Sequence, residues 1–321
     1  MTELERLERL PCGPLLLALS TLALACGGDT GEAQDHQEPC EEAVHWAALP
    51  DVVRETSGVA ASRASPGTLW THNDSGGEAA VFALDSTGVI LGRIRIRGAR
   101  NQDWEDIAVA PCGPGGGNCL FIGDTGDNRE VREEIVVYRV REPDPGDSVS
   151  APATALRAVY PDRPRDAEGL FVTSAGIHVV SKGRTSAVDL FRMPHSPDAT
   201  GETPPVTLRR VQQLAPPPTS VSAQTTAAAA SNDGRLVVIR TYAALQFYQA
   251  EADTLRPLGP AIDLSSAGQL QGEGVDFLNG DRLVLTGEAG GAWQAGIAAV
   301  RCNTELLAAP NVNRDSNNAR T

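Results

Sequence analysis

Asn101-Gln102-Asp103-Trp104-Glu105-Asp106-Ile107-Ala108-Val109-Ala110 is followed, after a stretch rich in Gly, Pro and Asn, by Leu120-Phe121-Ile122-Gly123-Asp124-Thr125-Gly126-Asp127-Asn128. Two short apolar runs edged by acids and divided by turn residues read as a pair of strands. The pattern recurs. Its first half returns as Ser57-Gly58-Val59-Ala60, Asp166-Ala167-Glu168-Gly169-Leu170, Gln224-Thr225-Thr226-Ala227 and Gln271-Gly272-Glu273-Gly274-Val275. Its second half returns as Leu69-Trp70-Thr71-His72-Asn73-Asp74, Ile177-His178-Val179-Val180-Ser181-Lys182, Leu236-Val237-Val238-Ile239-Arg240 and Leu283-Val284-Leu285-Thr286-Gly287-Glu288. Further strand-like runs follow each pair, among them Ile90–Ile96, Ile135–Val140 and Val206–Val211, and Asn232-Asp233-Gly234 and Asn279-Gly280 are hairpin turn signals.

Successive units begin 46 to 63 residues apart. Four strands at that period are the signature of propeller blades, so the expected fold is an all-β, five-bladed β-propeller over residues 40–302. Six blades remain the alternative if a long unit conceals one more. The fifth unit offers a third strand at Trp293–Arg301 and no fourth; Val44–Val53 is expected to supply it and close the ring with N- and C-terminal strands. Residues 303–321 read as a disordered C-terminal tail.

Four cysteines fall inside this body. Cys112 and Cys119 flank a loop short enough to bring its ends together, which leaves Cys40 with Cys302 across the seam. Zinc is disfavoured because no CxxC occurs and the five histidines are scattered. Disulfides fit an oxidising compartment. The N-terminus agrees: Leu15–Ala25 is an apolar run of 11 residues, too short for the roughly 20 that span a bilayer, preceded by Arg6 and Arg9 as in a signal segment over 1–25. It ends Ala23-Leu24-Ala25-Cys26, which resembles a lipobox with the Leu displaced, and makes Cys26 the expected lipidation site. Residues 26–39 then form an acidic tether. The expected setting is the cell envelope, with membrane contact through the lipid alone, or secretion if Cys26 is unmodified.

A net charge of −14 with no basic stripe argues against nucleic-acid binding. Nothing in the sequence demands a second copy, and a monomer is expected.

Ser57–Ala60 with Leu69–Asp74, Asp103–Ala108 with Gly123–Asn128, and the later Asp166–Leu170 and Gly272–Phe277 resemble exported bacterial propellers within the broad phytase-like, esterase-like assemblage. The resemblance covers most of residues 50–300 and implies a propeller and export. In the phytases of that assemblage acidic clusters hold calcium. The resemblance therefore implies calcium at Asp103, Asp106, Asp124 and Asp127, with Glu105, Glu168 and Glu273 beside it. The basic residues that would cradle a polyphosphate are sparse here, with Arg129, Lys182, Arg184 and Arg240 the candidates.

Equivalent repeat positions converge around a propeller axis. On that logic Asn73, Asp74, Asp124, Lys182, Arg240 and Glu288 form one ring, with Tyr242 beside it as a ligand contact, and Asp103, Glu105, Glu168 and Glu273 form another. Crowded carboxylates need a cation or a hydrogen-bond network between them. They could equally bond backbone amides and pin one blade to the next. Lys182 is the only lysine among 27 basic residues. Trp104 is expected to pack between blades. Two functions follow. One is binding of a small-molecule, phosphoester or glycan ligand at an acidic, calcium-occupied mouth. The other is hydrolysis, phosphoesterase or glycosidase, with Glu105, Glu168, Glu273 and Lys182 as catalytic groups.

Overall fold

Each repeat folds as an antiparallel meander whose first, polar-edged strand lies innermost. In the computed structural model these meanders form five separate sheets, four of four strands and one of five. The protein is a five-bladed β-propeller. The structure describes residues 39–113, 115–193, 204–252, 254–269, 271–290 and 294–308; the expected signal segment, Cys26 and the tether up to residue 38 lie outside them.

The inner strands are Thr56–Ala61, Trp104–Pro111, Ala167–Thr173, Thr225–Ala230 and Gln271–Asn279. Their small residues let five backbones crowd one axis. A Cβ on Gly58 would come within 2.8 Å of the Asp106 side chain on the next blade. Apolar side chains from facing sheets fill the gaps in five clusters, one per blade junction. Trp70, Ile107 and Leu120 join the first and second blades, and Phe121, Leu170 and Phe191 the second and third. Phe171 and Val237 join the third and fourth, Val238 and Leu285 the fourth and fifth, and Val59 and Val284 the fifth and first. Trp104 packs as expected: it is fully buried, donates from Nε1 to the Arg100 carbonyl at 2.8 Å and meets His72 edge-on.

The ring closes as the sequence suggested. Val44–Ala48 pairs antiparallel with Gly296–Arg301 to complete the fifth blade, and the disulfides Cys40–Cys302 and Cys112–Cys119 are both formed.

Two expectations are corrected. The run Val206–Val211 is split: Val206–Thr207 adds a parallel strand to the second blade, buried Leu208 marks the crossing, and Arg209–Ala215 becomes the outer strand of the third. The tail expected to be disordered from residue 303 begins with a helix, Thr304–Ala308, anchored by buried Leu307.

Two acids act as inter-blade pins. Asp106 Oδ2 accepts the amides of Leu170, at 2.8 Å, and Ala228, at 3.0 Å, while Oδ1 accepts Ile107 N at 2.9 Å. One carboxyl thus ties the second, third and fourth blades together. Asp276 Oδ2 accepts the amide of Ala61 at 2.7 Å, linking the fifth blade to the first.

Burial pushes Asp276 up to about 7 against the pull of that amide and of Arg63. A raised carboxyl pKa favours folding fully below the unfolded value, near 4, and the benefit is lost as pH rises through about 7. Asp276→Asn keeps an acceptor for Ala61 and cannot ionise. Relative to wild type it should gain roughly 1–2 kcal/mol between about pH 5 and about pH 8. Urea melts at both pH values check this; a difference independent of pH would contradict it.

Candidate functional site at the channel mouth

The inner strands share an irregularity that sequence alone does not display. In every blade the register between first and second strand slips near the start of the first strand: between Thr56 and Val59, Trp104 and Asp106, Ala167 and Gly169, Thr225 and Ala227, and Gly272 and Gly274, the fifth blade slipping again between Phe277 and Asn279. Each slip near the start is a β-bulge, which leaves a residue unpaired and re-aims its side chain. The residues so released are Ser57 (with Gly58), Glu105, Glu168, Thr226 and Glu273. All five are buried. The bulges set an acidic arc on the second, third and fifth blades, interrupted by hydroxyls on the first and fourth.

Around this arc stand the ends of the second strands and the turns that follow. Carboxyl oxygens of Asp74, Asp103 and Glu105 lie within 4.8 Å of one another, and so do those of Glu105, Asp166 and Glu168. Glu105 belongs to both groups. Lys182 Nζ contacts Glu168 Oε1 directly and lies 5.7 Å from the centre of the Tyr242 ring. Glu273 and Glu288 raise one side of the same field, and Gln271 Nε2 reaches Glu288 Oε2 at 3.4 Å. The structure thus brings together Asp74, Asp103, Glu105, Glu168, Lys182, Tyr242, Glu273 and Glu288 of the expected residues.

The electrostatics follow from burial among like charges. Burial raises Glu105 well above the ordinary range, and the neighbouring Glu168, Asp74 and Asp103 add to it. Asp103 is pushed up to about 6, and Glu273 and Glu288 each to about 7, again chiefly by burial. Burial raises Glu168 well above the ordinary range too, against the pull of the Lys182 ammonium in direct contact. Glu168 and Tyr242 hold Lys182 charged. That makes Lys182 an electrostatic anchor and unsuits it as a nucleophile.

The carboxyls differ in what they are bonded to. Asp166 accepts Arg184 Nε at 2.8 Å and the amide of Asp127 at 2.9 Å. No hydrogen bond from a described residue reaches the carboxyls of Asp103, Glu105 or Glu273, and Asp74 Oδ1 is buried without a partner. The backbone closes on these groups at Gly126, where a Cβ would sit 2.0 Å from Glu105 Oε1 and 2.6 Å from Asp103 Oδ2.

Several expected site residues are turned elsewhere. Asp106, expected as a metal ligand, is the inter-blade pin. Asp124 and Asp127, expected with it, are bound by Arg132: its guanidinium meets Asp124 Oδ1 at 2.9 Å and its amide donates to Asp127 Oδ2 at 2.6 Å. The Gly123–Asn128 loop is therefore folded around an arginine, and Gly126 is its contribution to the mouth. Arg240, expected as a ligand contact, is fully buried and donates to the carbonyls of Gly274 and Thr286 and to Gln269 Oε1. It binds the fifth blade, not the channel. Asn73 gives its Nδ2 to the carbonyl of Val52 at 2.8 Å.

Asp166 and Arg132 were missed as site residues. Asp166 carried a signal: Asp166-Ala167-Glu168 repeats the Asp-x-Glu of Asp103-Trp104-Glu105. Arg132 carried none, because nothing in the other repeats matches it.

No family model and no curated protein matches the sequence. Solved structures similar to this chain include the PQQ-bound aldose sugar dehydrogenase of Streptomyces coelicolor, at 13% identity over 82% of this chain and 97% of that one, TM-score 0.46. A putative oxidoreductase (glucose dehydrogenase) of Thermus thermophilus is 10% identical over 81% and 97%, TM-score 0.44. A putative 6-phosphogluconolactonase of Bacteroides uniformis is 15% identical over 80% and 69%, TM-score 0.39. At such values the likeness carries nothing about chemistry.

Proposed function

We propose that this protein is an exported binding propeller whose channel mouth holds a hard divalent cation, calcium by its donor chemistry, and through it an oxygen-rich phosphoester or glycan ligand. The observation that carries this reading is Glu105, a buried carboxyl common to two groups of three and without a hydrogen-bond donor among the described residues. A carboxyl in that position must either keep its proton or share a cation. Asp74, Asp103 and Glu105 fit the cation: their donor atoms are all carboxylate oxygen, the set hard cations take, and their oxygens are not spent on arginines. Asp166 and Glu168 fit less well, being engaged by Arg184 and Lys182. The two disulfides support export, and anchoring through Cys26 is part of the same proposal.

Melting with and without calcium is the test. A cation that binds only the folded state stabilises it by mass action, by about 2.7 kcal/mol at a hundred times its Kd. Calcium should raise the wild-type midpoint, a chelator should reverse the gain, and Glu105→Gln should melt near the calcium-free wild type and ignore both. A wild-type midpoint unmoved by calcium would remove the cation.

A hydrolase is the second reading, favoured by one feature. Glu105 and Glu168 offer oxygens within 4.8 Å of each other in unlike surroundings, one beside only acids and the other against an ammonium. Burial raises both carboxyls and the Lys182 ammonium opposes it at Glu168, so a hydrolase would use Glu105 as the acid and Glu168 as the nucleophile or base, and this spacing suits retention better than inversion, which needs about 6.5–9.5 Å. Turnover of phosphoester or glycoside substrates, lost in both Glu105→Gln and Glu168→Gln with the fold intact, would establish it; no turnover by wild type would dismiss it.

A further inference from the structure

The far end of the channel carries a second set of groups that the acidic mouth does not use. Hairpin ends of four blades enclose a cleft of about 420 Å³ there, lined by Arg63, Pro111, Thr173, Ser174, Ser231 and Asn232 among others. That volume lies in the range of small-molecule sites, about 300–1,000 Å³. We propose that this cleft binds a small hydroxylated carboxylate, with Arg63 as the anchor of its carboxyl group.

Arg63 is half-buried, and no hydrogen bond or ion pair joins its guanidinium to a described residue. Five donors with no acceptor, partly removed from water, leave a polar group without its partner. The nearest acids, Asp276 and Glu142, act on it only through space, and Glu142 Oε2 is itself buried without a partner. Asp276 accepts the amide of Ala61, and Glu142 Oε1 accepts Ser62 Oγ and Trp70 Nε1. Asp233, the acid on the rim, is bound by Ser231, the Arg235 amide and the Arg235 side chain. The planar fork of an arginine matches a carboxylate in two parallel hydrogen bonds. Ser174 and Asn232 are exposed on the rim with side chains that hydrogen-bond to no described residue, and they suit ligand hydroxyls. Asp276 and Glu142 nearby favour an anion of one charge over a phosphate of nearly two. A bare cation is repelled by Arg63 itself.

The inference stands apart from the reading of the acidic mouth and is tested without calcium. Acetate, L-lactate and D-glucuronate are titrated calorimetrically into the mature protein, with D-glucose and inorganic phosphate for comparison. Lactate or glucuronate should bind, and glucose and phosphate should bind at least about tenfold more weakly. Arg63→Gln should abolish binding. Should that variant fail to fold, Asn232→Asp sets a like charge on an exposed turn; it should melt as wild type does and bind at least about tenfold more weakly. No binding by any of the three carboxylates, equal binding of glucose or phosphate, or undiminished binding in Asn232→Asp would each overturn the proposal.

Discussion

Removing the seam disulfide, by Cys40→Ala with Cys302→Ala, should lower the unfolding free energy by about 3–5 kcal/mol. The bond joins residues separated by 262 positions, so it encloses nearly the whole propeller. In the chain-entropy account a longer closed loop takes more freedom from the unfolded chain and stabilises the folded one more. The closing strand makes the loss specific. Val44–Ala48 is short and exposed along most of its length, and beside its ladder with Gly296–Arg301 the chain next to it is held by Ala43 N to Ser266 Oγ at 3.0 Å, Glu41 N to Arg301 O at 2.8 Å, Leu49 N to Ala295 O at 2.8 Å and Asn303 N to Pro39 O at 2.7 Å. Without the bond this strand should detach first and expose the edge of Gly296–Arg301. Hydrogen exchange should therefore accelerate in Gly296–Arg301 before the inner strands. Removing Cys112–Cys119, with a sequence separation of 7, should cost much less. Equal losses from the two pairs in chemical denaturation would contradict closure at this seam.

Asp106→Asn should cost about 2–4 kcal/mol although it changes no volume. The native carboxyl receives three amide hydrogens from three strands. An asparagine has one acceptor oxygen, so its NH2 must face at least one of those amides, donor against donor, in a buried site. The cost falls on the contacts among the inner strands of the second, third and fourth blades, which set the mouth. A control on an exposed hairpin, Asp233→Asn, also removes carboxylate hydrogen bonds and should cost well under half as much. A variant Asp106→Asn as stable as wild type would show that the pin contributes nothing net.

The blade count was legible because it rests on period and turn chemistry, which local sequence carries. Closure was legible from two independent signs, a fifth unit lacking one strand and two cysteines at the ends of the body. The long-range division of Val206–Val211 between two blades was not, since both halves are plain strand and only buried Leu208 marks the crossing. At the site, Glu105, Glu168 and Glu273 were found because they hold equivalent positions in the repeated first strands. Asp106 follows Glu105 directly, yet it leaves the channel for the blade interface; adjacency along a strand says nothing about which side a bulge will favour. Asp124, Asp127 and Arg240 were misassigned for a related reason. The repeat positions of Asp124 and Arg240 point towards the axis and the resemblance implied a metal at Asp127, but each is engaged by a partner, Arg132 or backbone carbonyls, that only the folded loops and the neighbouring blade bring near.

Locating a cation in the mouth tests the proposed function most directly. Crystals of the mature protein grown with calcium, and soaked with manganese for its anomalous signal, should show one peak bounded by Asp74, Asp103 and Glu105. Calcium should lie about 2.3–2.6 Å from their oxygens. A mouth holding only water, with Glu105 hydrogen-bonded to it, or a peak confined to other acids, would contradict the account.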